Sequence, residues 1–145
     1  MLVSTKGRYG LRLMVSLASR YGFGPVGVDV MVRDQGISGN YIHVLLGSLK
    51  VSGLVRSVRG RQGGYELTRP PSEITAYDVV VALEGPEKLV ECVGDASLCS
   101  RSGRCRTRGL WCQIAQAVDG ILRGVTLRSL AEDVAGLESG HDYCI

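Results

Sequence analysis

The 145-residue chain has no long apolar run, no acidic residue before Asp29 and none of the short signatures of catalysis. Its longest apolar run, around Val79–Leu83, is far short of the ~18 or more residues that cross a bilayer. The opening stretch MLVSTKGRYGLRLM carries cations throughout, where a secretory leader needs an uninterrupted apolar core and a small-residue cleavage site. A cytoplasmic protein with no membrane partner is therefore expected. No Cys-x-x-Cys pair, phosphate loop, dinucleotide fingerprint or carboxylate pair is present, and both histidines are isolated, so an enzyme is not expected. Internal repeats and low-complexity tracts are also missing.

What is present suits a folded chain. Hydrophobic residues make up 45% and charged residues 21%, the balance of a globular protein. The length allows one domain with a real core, or a small domain with a dimerisation arm. Charge is divided unevenly within the net +3. Residues 1–70 hold ten Lys/Arg against three acids, whereas residues 71–145 hold seven against eleven. The basic half is where a polyanionic partner is expected.

Periodicity and capping residues divide the chain. STKGRYGLRLMVSLASRYG repeats Tyr9, Leu13 and Leu17 at helical spacing, with Ser4 or Thr5 as N-cap and an end near Gly22–Pro25. VGVDVMVRDQG predicts a short second helix closed by Gly36, and ISGNYIHVLLGSLKVSG a third, capped by Ser38 and stopped by Gly53. Two helices joined by a short glycine-containing turn form a helix-turn-helix candidate. LVRSVRG then alternates as a half-buried strand, RQGG turns the chain and YELT returns it, the hairpin that forms the wing of a winged helix. TAYDVVVALEG predicts a fourth helix after the Pro70–Pro71 break. From about Pro86 to Arg106 no period is visible, which predicts a long loop. RGLWCQIAQAVDGILRGV and TLRSLAEDVAG predict two more helices, the second capped by Thr126. The stripe of Leu110, Ile114, Ala117, Val118, Ile121 and Leu122 needs cover, from its own domain or from a second copy, and symmetric dimers are the commonest oligomers.

The recognition helix of such a motif lies in the major groove with its N-terminal residues at the base edges. Here those are Ser38, Gly39, Asn40, Tyr41 and His43; asparagine pairs bidentately with adenine, and the others bond bases or phosphates, or simply cap and pack. The wing carries Arg56, Arg59 and Arg61, with Gly60, Gly63 and Gly64 permitting a tight tip. An arginine there suits a narrow A·T-rich minor groove, and Arg59 is the first choice. Lys6, Arg8 and Arg12 are placed to meet phosphates.

Four of the five cysteines fall within ECVGDASLCSRSGRCRTRGLWC, residues 91–112. In a reducing compartment such a cluster points to a metal site or redox sensor rather than to a disulfide framework. Soft thiolates hold iron–sulfur clusters or zinc, and gaps of six and five residues are unlike the tight pairs of zinc sites. Arg101, Arg104, Arg106 and Arg108 would lower thiol pKa values and favour a reversible thiol/disulfide switch. Cys112 lies about 10 Å along the helix from Cys105, and reads better as a buried core or interface residue.

The motifs TKGRYGLRLM, QGISGNYIHVLLGSLKVSGLVRSVRGRQGGYEL and ITAYDVVVALEG, followed by spaced cysteines and LW, resemble the IscR/NsrR family of dimeric winged-helix regulators. The likeness runs from about Leu2 to Leu130. It implies binding to double-stranded palindromic promoter DNA, with Ser38, Asn40, Tyr41 and His43 as recognition-helix contacts and Arg59 in the minor groove. It also implies an iron–sulfur cluster of two or four irons on Cys92, Cys99 and Cys105. The pattern departs at the fourth ligand: Arg108 stands where one branch has histidine, and Arg8 where another has an acid. Cys112, Cys144, His141, Asp142 and Glu91 remain as candidates.

The expected architecture is mainly α with a small β-hairpin. A winged helix-turn-helix domain occupies residues 1–84, a cysteine-bearing sensor loop 85–107, a long dimerisation helix and last short helix 108–137, and a tail 138–145. The expected function is a homodimeric transcription regulator, read as a repressor, sensing cluster status, oxidants or nitric oxide. Its DNA-binding residues are Ser38, Asn40, Tyr41, His43, Arg59, Gly60, Arg61, Lys6 and Arg8. A cluster-free thiol/disulfide regulator is the alternative, ahead of an iron–sulfur electron carrier.

Overall fold

The structure is a computed structural model that describes residues 3–86 and 90–137. Helix α1 (Thr5–Ser19) opens on Ser4, whose hydroxyl accepts from the Lys6 and Gly7 N–H groups at 3.0 and 3.3 Å. Helix α2 (Val28–Gln35) ends at Gly36, which takes a left-handed φ of 64° and donates its N–H to the Val32 carbonyl. Helix α3 (Gly39–Val51) starts on Ser38 and buries Ile42, Leu45, Leu46 and Leu49 completely, against Leu13, Met14 and Leu17 of α1 and Met31 of α2. This i, i+3, i+4, i+7 stripe fixes which side of α3 faces water.

Strands β1 (Val55–Val58) and β2 (Gly64–Leu67) pair antiparallel, Val55 opposite Leu67 and Val58 opposite Gly64. Val26 adds one antiparallel bridge to Tyr65, bonding N–H to carbonyl in both directions. The strict alternation expected from Leu54 onward does not occur, since Leu54 and Val55 are both 2% exposed. The Leu54 N–H still bonds the Leu49 carbonyl, so Leu54 leaves α3 pointing into the core before the pleat begins at Val55.

Helix α4 (Ala76–Glu84) begins with a reciprocal cap, Thr75 accepting from the Asp78 N–H while the Asp78 carboxylate accepts from the Thr75 N–H. It crosses α1 closely at Gly10, where a Cβ would lie 2.0 Å from Cδ1 of Leu83 and force that side chain to shift. The expected loop carries short helical turns, α5 (Glu91–Gly94) and 3-10 turns at Ala96–Leu98 and Ser102–Arg104, none with a buried residue. Single turns are too short to leave a period in the sequence, which is why none was visible.

Helix α6 (Arg108–Gly124) packs against α4, with the Arg123 guanidinium 3.5 Å above the Tyr77 ring. None of its residues is buried, and Leu110 and Ile121 are 52% and 67% exposed. The chain then pairs Ala76 N–H with the Val125 carbonyl and Leu127 N–H with the Ile74 carbonyl. Helix α7 (Leu127–Leu137) returns to lie on α1, with Leu127 fully buried. No described helix is long and apolar enough to cross a membrane.

Candidate nucleic-acid interface and cysteine segment

Because one side of α3 is committed to the core, the other side exposes Asn40, His43, Val44 and Gly47. Ser38 is exposed too; its oxygen accepts the Tyr41 N–H at 3.3 Å, which leaves its own hydroxyl proton to donate outward. Tyr41 is half-buried, its ring edge-on to Tyr9 at 6.2 Å and 83°. The Arg12 guanidinium sits 5.4 Å over Tyr9 and donates to the Gln35 carbonyl at the end of α2. Arg12, expected at a phosphate, thus ties α1 to α2, while Tyr9 braces α3 through Tyr41. Arg8 is exposed and Lys6 half-buried at the start of α1.

On the wing, the three arginines separate into two kinds. Arg56 forms an ion pair with Glu66 across the strands at 2.7 Å, so its charge is already matched within the hairpin. Arg59, Gly60, Arg61 and Gln62 are all exposed at the tip, and no ion pair joins Arg59 or Arg61 to another described residue. The tip closes through the Gly63 N–H on the Gly60 carbonyl at 3.0 Å. Behind it Gly64 holds φ at 156°, and a Cβ there would lie 2.2 Å from the Val26 carbonyl oxygen.

Sequence reasoning passed over Val44, because a valine inside an apolar helix reads as core. It is 57% exposed. The signal available was its position one turn after Asn40, on the polar stripe.

Cys92, Cys99, Cys105 and Cys112 are free thiols, all half-buried; Cys112, expected in the core or at an interface, is not in the core of the single chain but stands partly open on α6. The Cys105 sulfur lies 3.3 Å from the Thr107 hydroxyl. That hydrogen bond, followed by the backbone N–H groups of Thr107 and Arg108 and the charge of Arg108, holds the Cys105 thiol below its ordinary range. Arg108 also donates from Nε to the Cys92 carbonyl at 3.1 Å, fastening α5 to the start of α6.

The donor type suits a soft metal centre, but the disposition does not. Among the described residues no three His, Cys, Asp or Glu side chains converge. Arg108, in the place of the resemblance's histidine ligand, has no lone pair to give and is engaged on Cys92. Glu91 is exposed. Cys144, His141 and Asp142 lie outside the described residues.

Residues 3–133 match the family model for Rrf2, described as an iron-dependent transcriptional regulator. The chain is 37% identical over 145 residues to the HTH-type transcriptional regulator CymR of Bacillus subtilis, covering 100% of both. The solved structure of CymR, the global cysteine regulator of B. subtilis, superposes with a TM-score of 0.78 at 39% identity, covering 91% of this chain and 97% of that one. IscR of T. potens superposes at 0.79 with 33% identity, covering 99% and 95%. The oxidised form of Staphylococcus aureus CymR superposes at 0.72 with 39% identity, covering 91% and 97%.

Proposed function

This chain belongs to the Rrf2 family of transcriptional regulators, and on that premise we propose that it is a homodimeric repressor reading promoter DNA through α3 and the wing. The observation that carries the reading is one of exposure. Asn40 and His43 stand clear on α3, and Arg59 and Arg61 stand clear and unmatched at the wing tip, in the half of the chain with the large positive excess. The first pair suits base edges and the second a minor groove or its phosphates. Ser38, Arg8 and Lys6 add backbone contacts that set affinity rather than sequence. A second copy covers the open apolar side of α6, which has no buried residue in the single chain.

Cys92, Cys99 and Cys105 form the sensor. A thiol signal is the chemistry that the geometry supports best, because Cys105 is partly exposed and biased toward thiolate. A peroxide would oxidise that thiolate to a sulfenic acid, and a second cysteine thiol would condense with it to a disulfide, releasing water. Likeness to the CymR structures, one of them an oxidised form, supports this reading. An iron–sulfur cluster on the same three thiolates is the second reading, supported by the family's iron-dependent description and by the likeness to IscR. When bound, such a group supplies a site that oxidants and nitric oxide attack.

Disulfide formation would draw two of these sulfurs, on α5 and the following turns, together. Arg108 transmits that movement to the start of α6, and α6 rests on α4 through Arg123 and Tyr77. Iron and sulfide analysis with an anaerobic visible spectrum separates the two chemistries. The thiol reading expects a colourless, iron-free protein, still so after anaerobic reconstitution. A coloured protein bleached by Cys92→Ala, Cys99→Ala or Cys105→Ala would replace it with the cluster.

A further inference from the structure

We infer that Val44 reads DNA sequence directly, contacting a thymine methyl group one to two base pairs from an adenine held by Asn40. The inference rests on the DNA-binding reading above and specifies what that surface selects. Burial decides the geometry: Ile42, Leu45, Leu46 and Leu49 are all 0% exposed, so Asn40, His43, Val44 and Gly47 form the outward face at i, i+3, i+4 and i+7. Asn40 and Val44 are one turn apart on it. A rise of about 1.5 Å per residue separates them by roughly 6 Å along the helix, a little under two base-pair steps of about 3.4 Å.

Chemistry assigns the partners. In the major groove asparagine matches the donor and acceptor of adenine, and the only apolar group on any base edge is the thymine methyl. Val44 is 57% exposed in the free chain and lies between Asn40 and Gly47 on this face, with the exposed Val51 at its far end, so a methyl contact would remove apolar surface from water on both sides.

Gly47 supplies an independent observation. It lies inside a thirteen-residue helix, where glycine is unfavourable, yet a Cβ at that position would meet nothing within 4 Å. Nothing within the protein requires a glycine there. On the proposed reading, a glycine there lets the α3 backbone approach the groove closely on the side of Asn40 and Val44.

The test begins by selecting duplexes from a randomised pool with the full-length protein, then replaces each thymine in turn by deoxyuridine, which removes only the methyl group. One thymine per half-site is expected to lose about fourfold in affinity when demethylated, the worth of one buried methyl. Val44→Ala is expected to bind the thymine and uracil duplexes equally at that position, and Val44→Thr, which keeps a methyl, to retain part of the difference. Gly47→Ala is expected to melt higher than the wild-type protein yet bind more weakly. Selection that succeeds but shows no methyl-sensitive position, or a sensitivity that survives Val44→Ala, overturns the inference and leaves the DNA-binding reading intact. A pool from which nothing is enriched over competitor DNA overturns both.

Discussion

Replacing Arg59 and Arg61 together with alanine is expected to weaken binding to duplex DNA by about 100-fold and to reduce the slope of log K against log salt by about 2. Each arginine removed from the tip is one cation that no longer displaces a counterion from the DNA, and a narrow minor groove raises its worth. Arg59→Ala alone is expected to lose about tenfold, within the range of one good arginine contact. Arg56→Ala is the internal comparison. Its guanidinium is held by Glu66 at 2.7 Å, so its removal costs the hairpin an exposed ion pair, worth at most about 1 kcal/mol, and leaves the salt slope unchanged. Fluorescence anisotropy on a selected duplex at several salt concentrations measures all three. Equal losses for Arg56 and Arg59 would mean that net charge, rather than the wing tip, drives binding.

Gly64→Ala is expected to cost about 3 kcal/mol or more, from a strained backbone and an unavoidable overlap together. At φ 156° alanine is disfavoured, and the atom it would strike is the Val26 carbonyl oxygen, part of the bridge to Tyr65. That oxygen accepts from the Tyr65 N–H at 2.9 Å, and the Val26 N–H donates to the Tyr65 carbonyl at 2.8 Å, so the peptide cannot rotate away as a side chain would. The bridge must open, and the wing separates from the segment leading into α2. Chemical denaturation and the thermal midpoint read the loss, which for a chain of this size corresponds to roughly 10 °C. DNA affinity falls in the same variant, because the wing and the helix-turn-helix lose their fixed relation.

Legibility in the sequence followed the range of the interaction. The three helices of the DNA-binding half were readable because their ends are local chemistry: Ser38 caps α3, Gly36 closes α2, and a serine within the first five residues caps α1. The hairpin was readable from RQGG between short apolar stretches. Long-range contacts were not. Arg56 looks like Arg59 in the sequence, and only the register that places it opposite Glu66 distinguishes them. The hydrogen bond from Arg12 to the Gln35 carbonyl likewise depends on how α2 packs beside α1. The return of α7 onto α1 depends on the backbone pairing of Ile74 and Ala76 with Val125 and Leu127, which no local pattern announces.

Among the site residues, Asn40, His43, Arg59, Gly60 and Arg61 are exposed as the motif reading required. Tyr41 is divided between roles, its ring committed to Tyr9. Val44 was invisible for a physical reason: apolar character at a helical position signals burial unless the opposite stripe is known to be full. The arrangement of the cysteine segment was not legible, since single helical turns and the Arg108 hydrogen bond to a carbonyl leave no trace in residue type.

In the proposed regulator the redox state of Cys92, Cys99 and Cys105 controls DNA binding by α3 and the wing. This control is tested most directly by the affinity of the protein for a selected duplex, measured fully reduced, after stoichiometric peroxide, and after reduction again. A change of about tenfold or more, a coupling of ordinary allosteric size, is expected to reverse on reduction and to be absent in Cys105→Ser. An affinity that stays the same through all three states, with the thiols shown to have been oxidised, would contradict it.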